Sequence, residues 1–305
     1  MDLPTSGHDP VLMDEVLHWL GGSIIAGNTL VDCTLGRAGH ASRLAQQLGK
    51  DGLLIGLDVD PRNLEFAQAR LADAPCRVRL FHANFAELSD VLAEAKVHHV
   101  DAMLADLGLS TNQLFDPHYG LSFAQDAPLD MRIDPRIRET AADLVNKLRE
   151  DDLADVLYNL AQERYSRRIA RNIALTRARS PITSTVRLAE LVRSAIPHER
   201  RRGAPAEKID PATRTFMALR MKVNRELENL GALLRDAPRF LKSGGRLAVI
   251  AFQSTEDRAV KQAFRSAEQA GILDILTNKP VTPADPELAA NPRSRSAKLR
   301  VAERV

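Results

Sequence analysis

Residues 30–40, Leu-Val-Asp-Cys-Thr-Leu-Gly-Arg-Ala-Gly-His, constrain the fold of this chain more than any other stretch. A short apolar run ends in Asp32. A turn with Gly36 and Gly39 follows, and a helix-like segment begins after it. The order strand, glycine loop, helix is how a doubly wound α/β fold holds a nucleotide-like ligand at the carboxyl end of its first strand. Glycine lets the backbone approach a ligand where a Cβ would block it.

The spacing of these glycines argues against a dinucleotide. The pyrophosphate fingerprint is G-x-G-x-x-G, and Gly36-Arg37-Ala38-Gly39 lacks its first step. A carboxylate at Asp32 would repel a pyrophosphate but could accept from an amino group or attract a cation. S-adenosyl-L-methionine (SAM) carries both an amino group and a sulfonium. An ordinary strand-to-helix turn has the same local pattern, so the loop alone does not decide the ligand.

The rest of the chain repeats this order. Apolar strands are predicted at Thr29 to Cys33, Leu53 to Leu57, Val78 to Phe81 and Val100 to Leu104, with helices between them. That alternation implies a parallel sheet. The strands end in Asp32, Asp58, Asn84 with Phe85, and Asp106. In an open parallel sheet these ends line one crevice. Asp58 suits two ribose hydroxyls, Asp60 suits the cap of the helix at Pro61, and Phe85 suits an adenine ring or the core. Asp106, followed by Leu107-Gly108, sits where a transferred group and its acceptor would meet, or caps a turn.

The pattern breaks after Ser110. Residues 111–136 contain four interrupters, Pro117, Gly120, Pro128 and Pro135, and from about Arg138 to Ile196 the chain reads as helices without a strand. Residues 161–210 hold twelve Lys and Arg against five Asp and Glu, a net of +7 in a chain whose total is +2. A basic helical insertion on an acidic α/β domain fits a polyanion reader, although a solvated helix face is also rich in arginine. Arg200-Arg201-Arg202 lies in a loop, which no helix face requires. One long helix is predicted from Asp210-Pro211, with Val223, Leu227, Leu230 and Leu234 on one stripe. Ser243-Gly244-Gly245 is read as its end. A strong strand at Arg246 to Phe252 follows, with late strands near Ile272 to Thr277 and Lys298 to Ala302. The domains are therefore drawn as 1–112, an inserted helical domain at 113–209, and 210–305.

Cys33 and Cys76 make no metal-ligand pattern and read as thiols of a reducing cytosol. Neither a signal peptide nor a membrane-length apolar run is visible. A cytoplasmic protein without a metal site is expected.

These pieces together resemble the MraW family of 16S ribosomal RNA methyltransferases. The resemblance is carried by His8-Asp9-Pro10-Val11-Leu12, residues 32–40, Asp58-Val59-Asp60-Pro61, Asp106-Leu107-Gly108-Leu109-Ser110 with Gln113, and Gly120-Leu121-Ser122-Phe123. Pro128-Leu129-Asp130-Met131-Arg132, Glu163-Arg164-Tyr165, residues 211–216, Ser254-Thr255-Glu256-Asp257-Arg258 and residues 291–296 continue it. Single motifs here are weak, and their joint order is specific.

The resemblance implies a Rossmann-like SAM-dependent methyltransferase sheet with an inserted helical recognition domain. It implies N4-methylation of cytidine 1402 in the decoding centre of 16S rRNA. By the family's motif, Ala38, Gly39, His40, Asp58, Phe85, Asp106 and Gln113 would hold SAM, to which the loop adds Asp32 and Gly36. Asp106 is the first candidate to accept from the amine, and Asp130 the second. Tyr119 or Phe123 could stack on a flipped base or pack locally. Arg132, Arg164, Arg168, Arg200, Arg201, Arg202 and Arg214 are candidate RNA contacts. The small ribosomal subunit is the expected partner, and a second copy of the chain is a candidate one. Ala38 stands where the family usually has glycine, which adds strain if φ there is positive. Cys33 also replaces a usual glycine, Gln253 a usual histidine, and Ser110-Thr111 a usual serine pair. A SAM enzyme for another cytosine, or a non-catalytic RNA-binding assembly factor, are the competing readings.

Overall fold

A computed structural model describes residues 10–197 and 210–305. The chain divides into two compact units. One comprises the described residues up to Gly108 with Leu227–Val305, and the other is Leu109–Glu226.

The first unit opens with α1 (Met13–Gly21), β1 (Thr29–Asp32), α2 (Gly39–Leu48), β2 (Leu53–Asp58), α3 (Pro61–Arg70), β3 (Arg77–His82), α4 (Leu88–Ala95) and β4 (Val100–Asp106). The second unit contributes α5 (Thr111–Phe115), α6 (Ala141–Lys147), α7 (Glu150–Ala161), α8 (Ser166–Arg177), α9 (Thr185–Ala195) and α10 (Ala212–Val223). The first unit then resumes with α11 (Glu226–Phe240), β5 (Leu241–Ala251), α12 (Ser254–Gln269), β6 (Leu273–Ile275), α13 (Asp285–Ala290) and β7 (Lys298–Arg304).

The seven strands form one sheet in the order β3-β2-β1-β4-β5-β7-β6. The first five are parallel, and β7 lies antiparallel between β5 and β6. The order reverses beside β1, so a crevice opens at the carboxyl ends of β1 and β4. Alternating side chains explain why these apolar runs make a sheet covered on both faces. Val31, Ile55, Met103 and Val249 join one core with α4, α11 and α12 residues, including Leu92, Leu233 and Val260. Their neighbours Leu30, Leu54, Leu104 and Ile250 join the other core with α1 and α2 residues, including Val16, Leu20 and Leu44.

The second unit has its own core, in which Leu144, Leu157, Ile169, Leu188 and Phe216 meet. Residues 109–112 belong to it, so it begins at Leu109 and not at 113. It also runs past 209 to Glu226, because α10 packs on α6, α7 and α9.

The long helix expected from 210 is two helices. Asp210 Oδ1 accepts from the Ala212 amide at 2.8 Å, but the helix begins at Ala212, so Pro211 and not Asp210 holds the cap position. The helix stops at Asn224, whose side chain accepts from the Ile133 amide and donates to the Met131 carbonyl. Arg225 then takes φ of 52°, which breaks the helical path. Ser243-Gly244-Gly245 ends no helix. It lies inside β5, where pairing with β4 slips between Val100 and Ala102 and Gly244 takes φ of 75°.

Candidate active site

The strand ends gather acids. Asp32 closes β1 and is buried, with Oδ1 accepting from the Thr34 amide at 3.1 Å. Burial pushes it up to about 7, against that hydrogen bond and with help from the charge of Asp58. Asp58 closes β2 and accepts from the Gly36 amide at 2.7 Å and the Asp60 amide at 2.8 Å. It therefore ties the glycine loop to the second strand. Burial moves it up to about 6, with the two backbone bonds opposing. Asp60 caps α3 by accepting from the Arg62 amide at 3.0 Å.

Asp106 closes β4. Its amide donates to Thr34 Oγ1 at 2.6 Å, which fixes the strand end against the glycine loop. The side chain is 26% exposed, yet Oδ1 is buried and has no hydrogen-bond partner among the described residues. Burial pushes its carboxyl up to about 8, and Asp32 and Glu256 add to the rise. Its other oxygen lies 3.6 Å from His40 Nδ1. His40 is buried in the first turn of α2, and its Nε2 lies 2.9 Å from the Val11 carbonyl.

The loop between β1 and α2 takes two left-handed residues, Gly36 at φ 53° and Ala38 at φ 59°. An alanine there carries a strain of about 1 kcal/mol that glycine would not. A Cβ at Gly39 would stand 2.6 Å from Pro10 Cγ, so only glycine lets the N-terminal segment lie on the loop. Cys33 beside it is buried, and burial with the charge of Asp32 pushes its thiol up, which keeps it protonated and unreactive.

Phe85 follows Asn84, which accepts from the Ala86 amide while Glu87 accepts from the Asn84 amide. The ring packs partly against the core. The crevice has one further acid that the sequence does not single out. Glu256 is buried at the start of α12 and accepts from the Phe252 and Gln253 amides at 3.0 and 2.9 Å. The signal for it is the glutamate three residues after Gln253, the spacing of a capping pair. Gln253, where the family usually has histidine, lies at the mouth of this helix.

The remaining candidates belong to the second unit. Gln113 is buried, and its Oε1 accepts from the Ser110 amide in a capping box that starts α5. Asp130 receives two hydrogen bonds from the Arg132 guanidinium, at 2.7 and 2.8 Å. Partial burial would raise its carboxyl, but the Arg132 bonds and charge outweigh that and hold it below the usual range. An acid so committed is a poor proton acceptor. Arg132 also donates to the Ile137 carbonyl at 3.0 Å, so its fork braces a loop. Tyr119 is buried in the unit's core. Phe123 stacks edge-on with Phe216 at 4.8 Å, under the guanidinium of Arg193. Both rings therefore pack locally. Arg164, Arg167, Arg168 and Arg171 are exposed along α8 and its approach, at a spacing that puts them on one side, and Arg214 is exposed on α10. Arg200, Arg201 and Arg202, and His8-Asp9, lie outside the described residues.

Among the described residues no group of His, Cys, Asp and Glu could hold a metal ion, and no helix is long and apolar enough to cross a membrane. The crevice does fit a cation with hydroxyls. It offers an orphaned carboxylate oxygen, two more acids and a cradle of tight turns.

Comparison with known proteins shows which family the chain is similar to. Residues 5–305 match the model of the MraW methylase family. The chain is 45% identical over 305 residues to the ribosomal RNA small subunit methyltransferase H of Acidobacterium capsulatum, covering 97% of this chain and 98% of that one. It is 46% identical to the protein of the same name from Geobacter sulfurreducens, over 99% of this chain and 100% of that one. The Syntrophotalea carbinolica protein of that name is 45% identical, over 98% of each.

Proposed function

The chain belongs to the MraW methylase family and uses S-adenosyl-L-methionine; from that membership and the crevice we propose that it methylates the N4 amine of a cytidine in the decoding centre of 16S rRNA. The single observation that carries the chemistry is Asp106, whose buried Oδ1 has no partner among the described residues.

When bound, the cofactor supplies a methyl carbon made electrophilic by a positively charged sulfur. Asp32, Asp58 and Asp106 complement its charges and hydroxyls. The backbone of Gly36, Ala38 and Gly39 provides close approach, and Phe85 an apolar wall.

The amine of cytosine is a weak nucleophile because its lone pair is delocalised into the ring. Positive charge must build on nitrogen before a bond forms. A carboxylate that accepts a hydrogen bond from the amine, in a site shielded from water, favours that charge and then takes the proton. Asp106 Oδ1 meets the requirement because its own environment leaves it hungry for a proton. Asp130 does not, because Arg132 satisfies it. The target base must leave its stack to reach such a crevice. The exposed arginines of α8, with Arg214 and the Arg200–Arg202 run, supply phosphate contacts that hold the RNA while this happens.

The test is methyl transfer from labelled SAM to undermethylated small subunits and to naked 16S rRNA, with the product mapped by mass spectrometry. N4-methylcytidine at the decoding-centre position is expected. SAM binding with no transfer to either RNA would overturn the substrate assignment. Absence of SAM binding would favour the assembly-factor reading, which Ala38 and Gln253 motivate.

A further inference from the structure

The N-terminal segment is fastened at three consecutive residues, two of them to the start of α2 beside the crevice and the third to α13. Pro10 lies against Gly39 so closely that a Cβ on the glycine would clash. The Val11 carbonyl meets His40 Nε2 at 2.9 Å. The Leu12 amide donates to Glu287 Oε1 at 2.9 Å, with Leu12 itself left-handed at φ 56°. A carbonyl oxygen can only accept, so Nε2 must carry a hydrogen. The segment thereby fixes the tautomer of neutral His40 and turns its other nitrogen, Nδ1, towards Asp106.

Nδ1 and Asp106 Oδ2 are 3.6 Å apart, inside ion-pair range and longer than a hydrogen bond. Catalytic contacts of this kind often tighten only in the working complex. The ionisable groups that bear on Asp106 are also informative. They are Asp32 from β1 and Glu256 from α12, with Asp58 from β2 behind Asp32. All are acids, so a positive charge at His40 is the kind this cluster stabilises.

We propose that His40 and Asp106 act as a proton-holding pair, in which the proton taken from the target amine by Asp106 passes to His40 Nδ1. This rests on the methyl-transfer reading and names where its proton goes. The balance is simple. Nitrogen gives its lone pair to the methyl carbon, the carbon–sulfur pair returns to sulfur, and the amine proton leaves to Asp106. His40 then carries that proton as imidazolium, and Asp106 is restored as a carboxylate beside it. His40 is a positioning residue in this scheme, acting through Asp106, and its orientation is set by the Val11 carbonyl.

Two variants separate its two nitrogens. In His40→Gln the amide nitrogen can still reach the Val11 carbonyl, while nothing basic faces Asp106. His40→Asn has the reverse reach. The experiment is a pH titration of the wild-type protein with nitrogen-15-labelled histidine, followed by NMR, beside the pH profile of kcat for His40→Gln on small subunits. Expected are protonation of His40 Nδ1 in wild type that moves in Asp106→Asn, and a fall in kcat of about tenfold or more in His40→Gln. The acid limb of the profile should move to higher pH, because Asp106 loses the group that stabilises its ionised form. The loss should fall on kcat more than on KM for the small subunit, since the proton step does not serve RNA binding.

An Nδ1 that stays unprotonated from about pH 5 to 9 would overturn the proposal. So would a His40→Gln profile of wild-type shape that is merely lowered at every pH, which is what a structural role predicts. The NMR titration needs neither RNA nor turnover. It decides the pairing even if His40→Gln does not fold or if no RNA accepts a methyl group.

Discussion

The acids of the crevice and the acids of the helical unit are handled in opposite ways. In the helical unit Asp130 is gripped by Arg132, Asp143 by Lys147, Asp210 by Arg193 and Glu226 by Arg220. The carboxyls of Asp130 and Asp143 are held below their usual range by those partners. At the strand ends, Asp32, Asp58 and Asp106 sit together with their values pushed up, and the groups around Asp106 are further acids and a histidine. Paired acids brace loops and helix ends. Acids kept short of cations cost stability, and a protein that keeps them so has a use for them at that place. Cationic side chains in the helical unit are correspondingly free to face outward on α8.

The largest effect should come from removing the acid assigned to the proton. Asp106→Asn keeps the shape of the side chain and removes its appetite for a proton. Turnover should fall by about 10²- to 10⁴-fold with the fold intact by circular dichroism. Wild-type rates from this variant would sink the assignment. The corresponding change at Asp130 should leave the pH profile of kcat in place.

Arg164→Ala combined with Arg168→Ala should weaken RNA binding by about tenfold or more. The slope of log affinity against log salt should become shallower by roughly 0.7–0.9 for each phosphate that is no longer neutralised. An unchanged slope would mean that this face of α8 touches no phosphate.

Stability without cofactor should separate the two sets of acids by the sign of its pH dependence. Asp32, Asp58 and Asp106 have folded values raised above their unfolded ones. Their contribution is fully present below about pH 4 and is lost as pH rises through the range from about 6 to about 8. Asp130 and Asp143 have lowered folded values, so their contribution is present above about pH 4 and is lost as pH falls below it. Urea unfolding between these limits should show stability declining towards alkaline pH, and Asp32→Asn should flatten the decline. A rise towards pH 8 in wild type would contradict the unpaired state of the crevice.

Arg132→Ala leaves Asp130 without its fork and should cost about 1 kcal/mol, because the pair is partly exposed. The smallest change is at the cofactor loop. Ala38→Gly relieves a left-handed alanine and should stabilise the protein by up to about 1 kcal/mol. A loss of stability would show that the buried methyl group matters more for packing than its strain costs.

Much of the crevice is legible in the sequence because it is local at each strand end. An apolar run followed by Asp32, Asp58 or Asp106 needs no tertiary knowledge to be seen. What is not legible depends on contacts between distant residues. The break at Asn224 follows from hydrogen bonds to Met131 and Ile133, which no helical stripe encodes. The same helix, α10, carries the domain boundary to Glu226 by packing on α6, α7 and α9. The meeting of His40 with Asp106 and Val11, and the approach of Glu256 to the same acid, likewise arise only when the sheet is assembled. Asp130 ranks as a second acceptor in the sequence, where nothing shows that Arg132, two residues on, holds its carboxylate.

The most direct test of the proton-accepting crevice is a proton count on cofactor binding, made by calorimetry near pH 7 in buffers of different ionisation enthalpy. If the crevice acids are unpaired and partly protonated, SAM should displace protons as it binds. SAH, whose sulfur carries no charge, should displace fewer, and Asp106→Asn should reduce the count for SAM. If SAM binds to wild type without releasing protons, the crevice holds no proton that the cofactor's charge displaces, and the raised proton affinity assigned to Asp106 is contradicted.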